Sequence, residues 1–409
     1  MNGRPRTTEL VGLNHAASVP SMHHAHACLR LTTPSLNLSY PEDAWDHYDE
    51  IQRVMQRWLQ SAPGFERHGA AGYRGPWIEN VWISHFERLA ARARSRRRPL
   101  HSVFGPFVPL LVPFVDQWVQ RGGPSGYRYP VGFVEALLSV VRPSVAYIAV
   151  SQNDEGLTGK GELPMRRIPN VLVLSAGGYG HVPVPLLKQT EPRSDAVAME
   201  RRPLLVSYKG SLRNAPDRLR ERMRDLVVEA AEQHHFLYHV APSTTGSTQW
   251  WHLARWSQGL PPFAERIMSR LSGIESWREL MERSRSSLCP RGYGRSSYRL
   301  AETVQQGRVP IYVYSDTPWV PYESRFRREL GYVTTLKRLP TLLRDLARHG
   351  NASINELAQR EAAAARLRTS HFTLPGVMRQ IERFMLAPEK ADLECRKLPS
   401  SVRGVVGDG

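Results

Sequence analysis

The chain has 409 residues, 41% hydrophobic and 23% charged, with a formal charge of +17. Length and composition exclude a disordered or fibrous chain and leave room for two domains of ordinary size. Of the 55 basic residues only 6 are lysine, so the positive charge is carried almost wholly by guanidinium, a group suited to phosphate and carboxylate.

Residues 1–40 mix Ser, Thr, Pro and His without an apolar period, and a loosely attached segment is expected there, with His23, His24 and His26 on a flexible tail. The first domain is expected over residues 41–187. It opens with a helix from Pro41 to Trp58, where Trp45, Tyr48, Ile51, Met55 and Trp58 recur at helical spacing. Two aromatic stretches follow, Gly75 to Phe86 and Phe104 to Val119. Both are expected to form core, with a few rings lining a groove. Between them Arg92 to Arg98 holds five arginines, read as a solvated face with contact to an anionic polymer as the alternative.

Val145 to Val150 reads as a buried strand delivering the loop Ser151 to Gly156, and Asn170 to Leu174 as a second delivering Ser175 to His181. Ligands gather at the carboxyl ends of strands in open α/β sheets. These two loops are therefore candidates for the acceptor side of a cleft, and Asp154, Glu155 and His181 on them, with Glu79 an outsider, for its general base if the chemistry there requires one.

Residues 188–202 read as a linker, and the second domain as 203–370. A strand from Pro203 to Tyr208 delivers Lys209-Gly210-Ser211. A helix starts near Arg218, and Phe236 to Val240 is a short strand. Thr244 to Arg270, with Trp250, Trp251 and Trp256, resembles an insertion. Trp277 to Ser286 is predicted helical, leading through a short strand to Cys289. From there the order is loop, helix, strand: two glycines, Gly292 and Gly294, a helix capped by Ser296 or Ser297 and ended by Gly307, then Val309 to Tyr314. Helices are predicted over 339–347 and 354–369 after a strand at 332–336, then a terminal helix over 371–386 and a flexible tail over 387–409.

The loop at Cys289 offers backbone N–H groups at a helix N-terminus, ringed by Arg291, Arg295 and Arg299, which suits a phosphate. Glu302, one turn into the helix, is placed to accept from ribose hydroxyls. Phosphate and ribose together suggest a nucleotide. A glycine-rich loop with solvated arginines accounts for the same residues and stays open at this point.

Cys289, Pro290, Arg291, Gly292, Ser297, Arg299, Glu302, Gly307, Pro310, Asp316 and Pro321 stand in the order of a known signature. The segment resembles the exostosin domain of glycosyltransferase family 47, with Thr303 where alanine is usual and Val320-Pro321-Tyr322 in place of Leu-Pro-Phe. The likeness covers residues 203–386 well and 72–186 more faintly; Gly180-His181-Val182 stands where the family often has Lys-Asp-Val. It implies an α/β fold of GT-B type: two facing Rossmann-like domains with a C-terminal helix crossing back to the first. It also implies an inverting transfer of a sugar from a nucleotide sugar, usually UDP-linked, to a glycan or glycoprotein hydroxyl, in the Golgi lumen. Lys209, Gly210, Arg291, Gly292, Ser297, Arg299 and Glu302 would bind the donor.

No Asp-x-Asp is present, so no metal or cofactor is expected beyond the nucleotide sugar itself. Cys28, Cys289 and Cys395 match no metal or disulfide spacing, structural disulfides are not expected, and Cys289 reads as a packing residue. Neither a secretory signal nor a membrane span is legible, the apolar run Val103 to Val115 being broken by prolines. Two rival readings remain: a non-catalytic relative that binds glycan or nucleotide, and an arginine-rich nucleic-acid-binding protein, favoured by charge alone and leaving the ordered signature unexplained.

Overall fold

A computed structural model describes residues 22–59, 77–120, 128–188, 191–192, 197–241, 276–348 and 350–399. Trp250, Trp251 and Trp256 lie outside the described residues, as does the whole insertion-like stretch from Thr244 to Arg270.

The first lobe is built on a four-stranded sheet in the order β1 (Val108–Pro109), β2 (Tyr147–Ser151), β3 (Val171–Ser175), β4 (Val182–Pro183), all parallel. Every residue of β2 and β3 is buried, as an unbroken β-branched run requires when both faces of a parallel sheet are covered. The cover comes from helices α1 (His23–Arg30), α2 (Ala44–Leu59), α3 (Ile78–Ser95), α4 (His101–Phe104), α5 (Phe114–Gln120) and α6 (Phe133–Val140). Helix α2 turns Tyr48, Ile51, Met55 and Trp58 inward, the stripe its spacing predicts.

The second lobe holds five parallel strands in the order β6 (Leu237–Ala241), β5 (Leu204–Lys209), β7 (Ser284–Pro290), β8 (Pro310–Tyr314), β9 (Tyr332–Thr335). Its helices are α7 (Leu219–His234), α8 (Trp277–Glu282), α9 (Tyr298–Gln305), α10 (Leu339–Arg348) and α11 (Gly350–His371). Helix α8 stops at Glu282, short of the predicted Ser286. Ser284 and Ser286 instead enter β7, where their hydroxyls donate to Leu280 O and Leu205 O at 2.6 and 2.8 Å. Buried serines with local carbonyl partners read as polar helix residues until the neighbouring strand is known.

The last helix, α12 (Leu374–Leu386), returns to the first lobe and packs on α4 and α3. There His85 Nε2 lies 2.6 Å from Glu382 Oε1. The larger apolar core runs from the first lobe through Leu300, Val304, Tyr312 and Phe326 of the second, while a smaller core stays within the second. The protein is thus α/β, with two parallel-sheet lobes and a C-terminal helix crossing back to the first.

Three expectations are corrected. Residues 22–40 are not loosely attached: α1 buries Ala25, Cys28 and Leu29, and Ser39 bridges to Val145. Residues 387–399 are not a free tail, because Leu393 is buried and the Leu398 N–H donates to Thr32 Oγ1 at 3.0 Å. Cys28 and Cys395, separated by 367 positions, form a disulfide. A pair so distant in sequence leaves no spacing signal, and only the folding back of the C-terminal segment brings it together.

Candidate functional site

In the second lobe the chain steps from β5 to β6 on one side and returns to β7 on the other, so a topological switch point falls between β5 and β7. Loops at the carboxyl ends of two such strands diverge and leave a crevice. Flanking that point here are Lys209-Gly210-Ser211 at the end of β5 and Arg291 to Ser297 after β7. Arg220, from α7, ties the two together by donating to Arg291 O at 3.0 Å and Ser211 O at 2.9 Å. Gly210 packs so closely that a Cβ there would stand 2.6 Å from the Tyr208 hydroxyl.

The arginines of this loop do different work. Arg291, 1% exposed, donates through its three nitrogens to Asp316, to Tyr293 O at 2.9 Å and to Gly294 O at 3.2 Å. Arg295 donates to Asp316 Oδ2 at 2.7 Å and, across the lobes, to Gly178 O at 3.3 Å. Arg291 was expected to meet the phosphate; with each nitrogen engaged inside the loop, it braces the turn instead. Arg299 differs. Its Nη2 donates to Lys209 O at 3.0 Å, its guanidinium lies 4.1 Å over the Trp277 ring, and its Nη1, 3.3 Å from Glu302 Oε2, makes no hydrogen bond. Arg299 is thus held by Glu302 and Trp277 and not by Asp316.

Glu302, 7% exposed, pairs with Arg299 and with Lys188 Nζ at 3.6 Å. Two ion pairs leave a carboxylate with lone pairs for further donors. Lys188, read as the start of a linker, also sits 4.7 Å over the Tyr298 ring. It stands 114 positions from Glu302, so nothing in the sequence announces the pair. Ser297 occupies the N-cap position of α9 in extended backbone, but its side chain makes no capping hydrogen bond. Gly292 carries the turn, its N–H donating to Ser296 O at 2.8 Å. Cys289 is buried with its thiol pushed up to about 12 by desolvation, a packing residue and no nucleophile.

Facing this crevice are the carboxyl ends of β2 and β3. Ser296 N–H donates to Gly177 O at 3.2 Å, Trp319 Nε1 to Ser175 O at 3.0 Å, and Gln152 Nε2 to the Tyr298 hydroxyl at 3.1 Å. The contact is close because it is made by glycines: a Cβ on Gly178 would stand 2.4 Å from Arg295 N, and one on Gly294 2.2 Å from Asp154 Oδ1.

Of the three base candidates, Asp154 is the one at this seam. It accepts from the Gly294 N–H, and desolvation raises its pKa to about 6 against the pull of Arg291. Glu155 is buried beside it, its N–H on Asn153 Oδ1 at 2.9 Å. His181 sits inside the first sheet, where its Nδ1 accepts from the Val173 N–H at 3.1 Å and burial lowers its pKa to about 3. Glu79 is likewise interior, held by the Val115 N–H at 2.7 Å.

Solved structures that align with this chain include those of TarM. A crystal structure of TarM aligns over 64% of this chain and 47% of that one, at 7% identity and a TM-score of 0.34. A mutant of the S. aureus protein in complex with fondaparinux, alpha-GlcNAc-glycerol and UDP aligns over 64% and 48%, at 7% identity and a TM-score of 0.33. The chain spans about half the length of these structures. No protein-family model and no curated protein matches it.

Proposed function

We propose that the protein is a glycosyltransferase moving a sugar from a nucleotide sugar, of the UDP class, to a glycan hydroxyl. The observation that carries this reading is the switch-point crevice, where a glycine turn, a helix N-terminus, Arg299 and Glu302 meet the carboxyl ends of the opposite sheet. Arg299 Nη1 and the N-terminus of α9 would hold the diphosphate as negative charge builds on the leaving group. Glu302, with Lys188 beside it, would take the ribose, and Lys209 and Gly210 the far wall.

Asp154 would be the general base of an inverting transfer. The residue is half-buried at the seam, and a pKa near 6 leaves its carboxyl ionised yet basic at neutral pH. The exostosin signature supports the same reading, since its residues fall on one strand–loop–helix–strand unit around the crevice. On that reading no metal takes part, and the address is the Golgi lumen of such relatives, an oxidising compartment that suits the Cys28–Cys395 disulfide. No described helix is long and apolar enough to cross a membrane.

The decisive experiment screens the purified chain against UDP-sugars for released UDP, with and without chelator, beside Glu302→Ala. The expected outcome is turnover indifferent to chelator, with UDP affinity lost in the variant. Normal UDP affinity in Glu302→Ala would remove the ribose assignment. A second reading, nucleotide binding without transfer, is favoured by Arg291 and Arg295 both being engaged by Asp316. It predicts UDP binding with no release from any UDP-sugar.

A further inference from the structure

Away from the crevice, among the described residues, three soft donor atoms converge. His24 and Cys28 stand four positions apart on α1, hence on one helix face, and Cys395 of the C-terminal segment meets them; the three donor atoms lie within 4.8 Å of one another. His24 Nε2 is 3.8 Å from Cys28 Sγ. Zinc-to-sulfur and zinc-to-nitrogen bonds of about 2.3 and 2.0 Å at tetrahedral angles place such a pair roughly 3.5 Å apart. This imidazole and this sulfur are therefore already near metal-ligand separation. Only the two sulfurs, bonded to each other in the disulfide form, have to part.

We propose that in the reduced chain His24, Cys28 and Cys395 form a binding site for a soft divalent cation of the zinc class. Thiolate and imidazole are the donors such an ion selects over magnesium or calcium. A dithiol reductant opens the disulfide by exchange, giving two electrons and two protons to the sulfurs and becoming a disulfide itself; the ion then displaces one proton from each thiol beside a neutral imidazole, so the ion and the disulfide are alternative states of the same two sulfurs. The fourth position falls to water or to Glu389, whose charge already acts on His24.

The site is built on both sides without help from the disulfide. On one side, α1 is fixed by burial of Ala25 and Leu29 and by the edge of the His24 ring against Phe384, with centroids 4.7 Å apart. On the other, Cys395 is positioned by its neighbours. Arg396 N–H donates to His181 O at 2.7 Å and Arg396 Nη1 to Pro318 O at 2.6 Å, its guanidinium also pairing with Glu323, while Leu398 N–H reaches Thr32 Oγ1. These contacts bind the segment to both lobes, so opening the sulfur bond leaves Cys395 beside α1. A preformed site of this kind avoids the ordering that a metal otherwise has to drive.

The test is cobalt(II) titration of the full chain after reduction, verified by a count of three thiols under denaturing conditions, Cys289 being the third. One cobalt per chain is expected, with thiolate-to-cobalt charge-transfer absorption that zinc abolishes by displacement. Cys28→Ser and Cys395→Ser should each lose that absorption. His24→Ala, which keeps both sulfurs, should weaken cobalt binding by about tenfold or more; circular dichroism of each variant separates ligand loss from unfolding. The inference is overturned if the reduced chain gives no charge-transfer band at saturating cobalt, or if the band survives either serine substitution. Unchanged affinity in folded His24→Ala, or a disulfide that no reductant opens in the folded chain, overturns it equally.

Discussion

Asp154 and His181 show how two side chains proposed for one task are separated by their surroundings. Both sit on loops at the carboxyl ends of first-lobe strands. His181 gives its Nδ1 lone pair to a strand N–H inside the sheet, and burial holds it neutral. Asp154 is turned to the seam, accepts one N–H from the opposite lobe and keeps part of its surface. Asp154→Asn retains the acceptor for Gly294 but cannot take a proton. Transfer should fall by about 10²- to 10⁴-fold with UDP affinity intact. In the unsubstituted chain the acid limb of kcat/KM should lie near pH 6, where Asp154 takes up its proton. A limb at that position in Asp154→Asn would remove the residue from the chemistry.

Single elements are held by contacts that propensity does not describe. Helix α11 is fastened beneath the second sheet by Glu361, which receives Arg202 through both oxygens at 2.7 and 2.8 Å and Arg308 at 2.8 Å. Both arginines have side chains 2% exposed. Removing the carboxylate strands two buried cations. Glu361→Ala should therefore cost about 3–5 kcal/mol in denaturant unfolding, while the solvated Asp49–Arg94 pair should be worth under about 1 kcal/mol. Helix α12 depends instead on a close approach. Gly105, with φ of 56°, would place a Cβ 2.1 Å from Met385 O. Gly105→Ala should lower the melting temperature, because left-handed strain adds to a backbone clash that no rotamer relieves; an unchanged melting temperature would mean the crossover helix tolerates displacement.

At the scale of the molecule, pH acts on the two residues in opposite senses. The unfolded chain protonates His181 near pH 6.5, whereas the folded chain does so only at about 3. Below pH 6.5 the unfolded state binds the extra proton, so stability present above that value is lost as pH falls. For Asp154 the folded chain holds its proton up to about 6, so its contribution declines as pH rises from about 4 to 6. Replacing His181 by Asn, whose Oδ1 can take the Val173 N–H, should flatten the acid side of the melting curve between pH 6.5 and 4. If that slope is unaltered, His181 is not what makes the fold acid-sensitive.

Much of this was legible from residues alone. The strands at 147–151, 171–175 and 310–314 are uninterrupted apolar runs, which can be satisfied only by burial on both faces, and the order of loop, helix and strand from Cys289 follows from two glycines and a switch of period. Local chemistry therefore determined the two-sheet α/β class and the unit that forms the crevice wall. Local chemistry could not say which of Arg291, Arg295 and Arg299 Asp316 engages, because all three have the same side chain and Asp316 reaches only the first two. Nor could it find Lys188 beside Glu302, Arg220 bridging two loops, or Cys395 against Cys28. Each of these is a meeting of residues far apart in the chain, and such meetings are fixed by the packing of the lobes and the return of the C-terminal segment, which leave no periodicity or spacing behind.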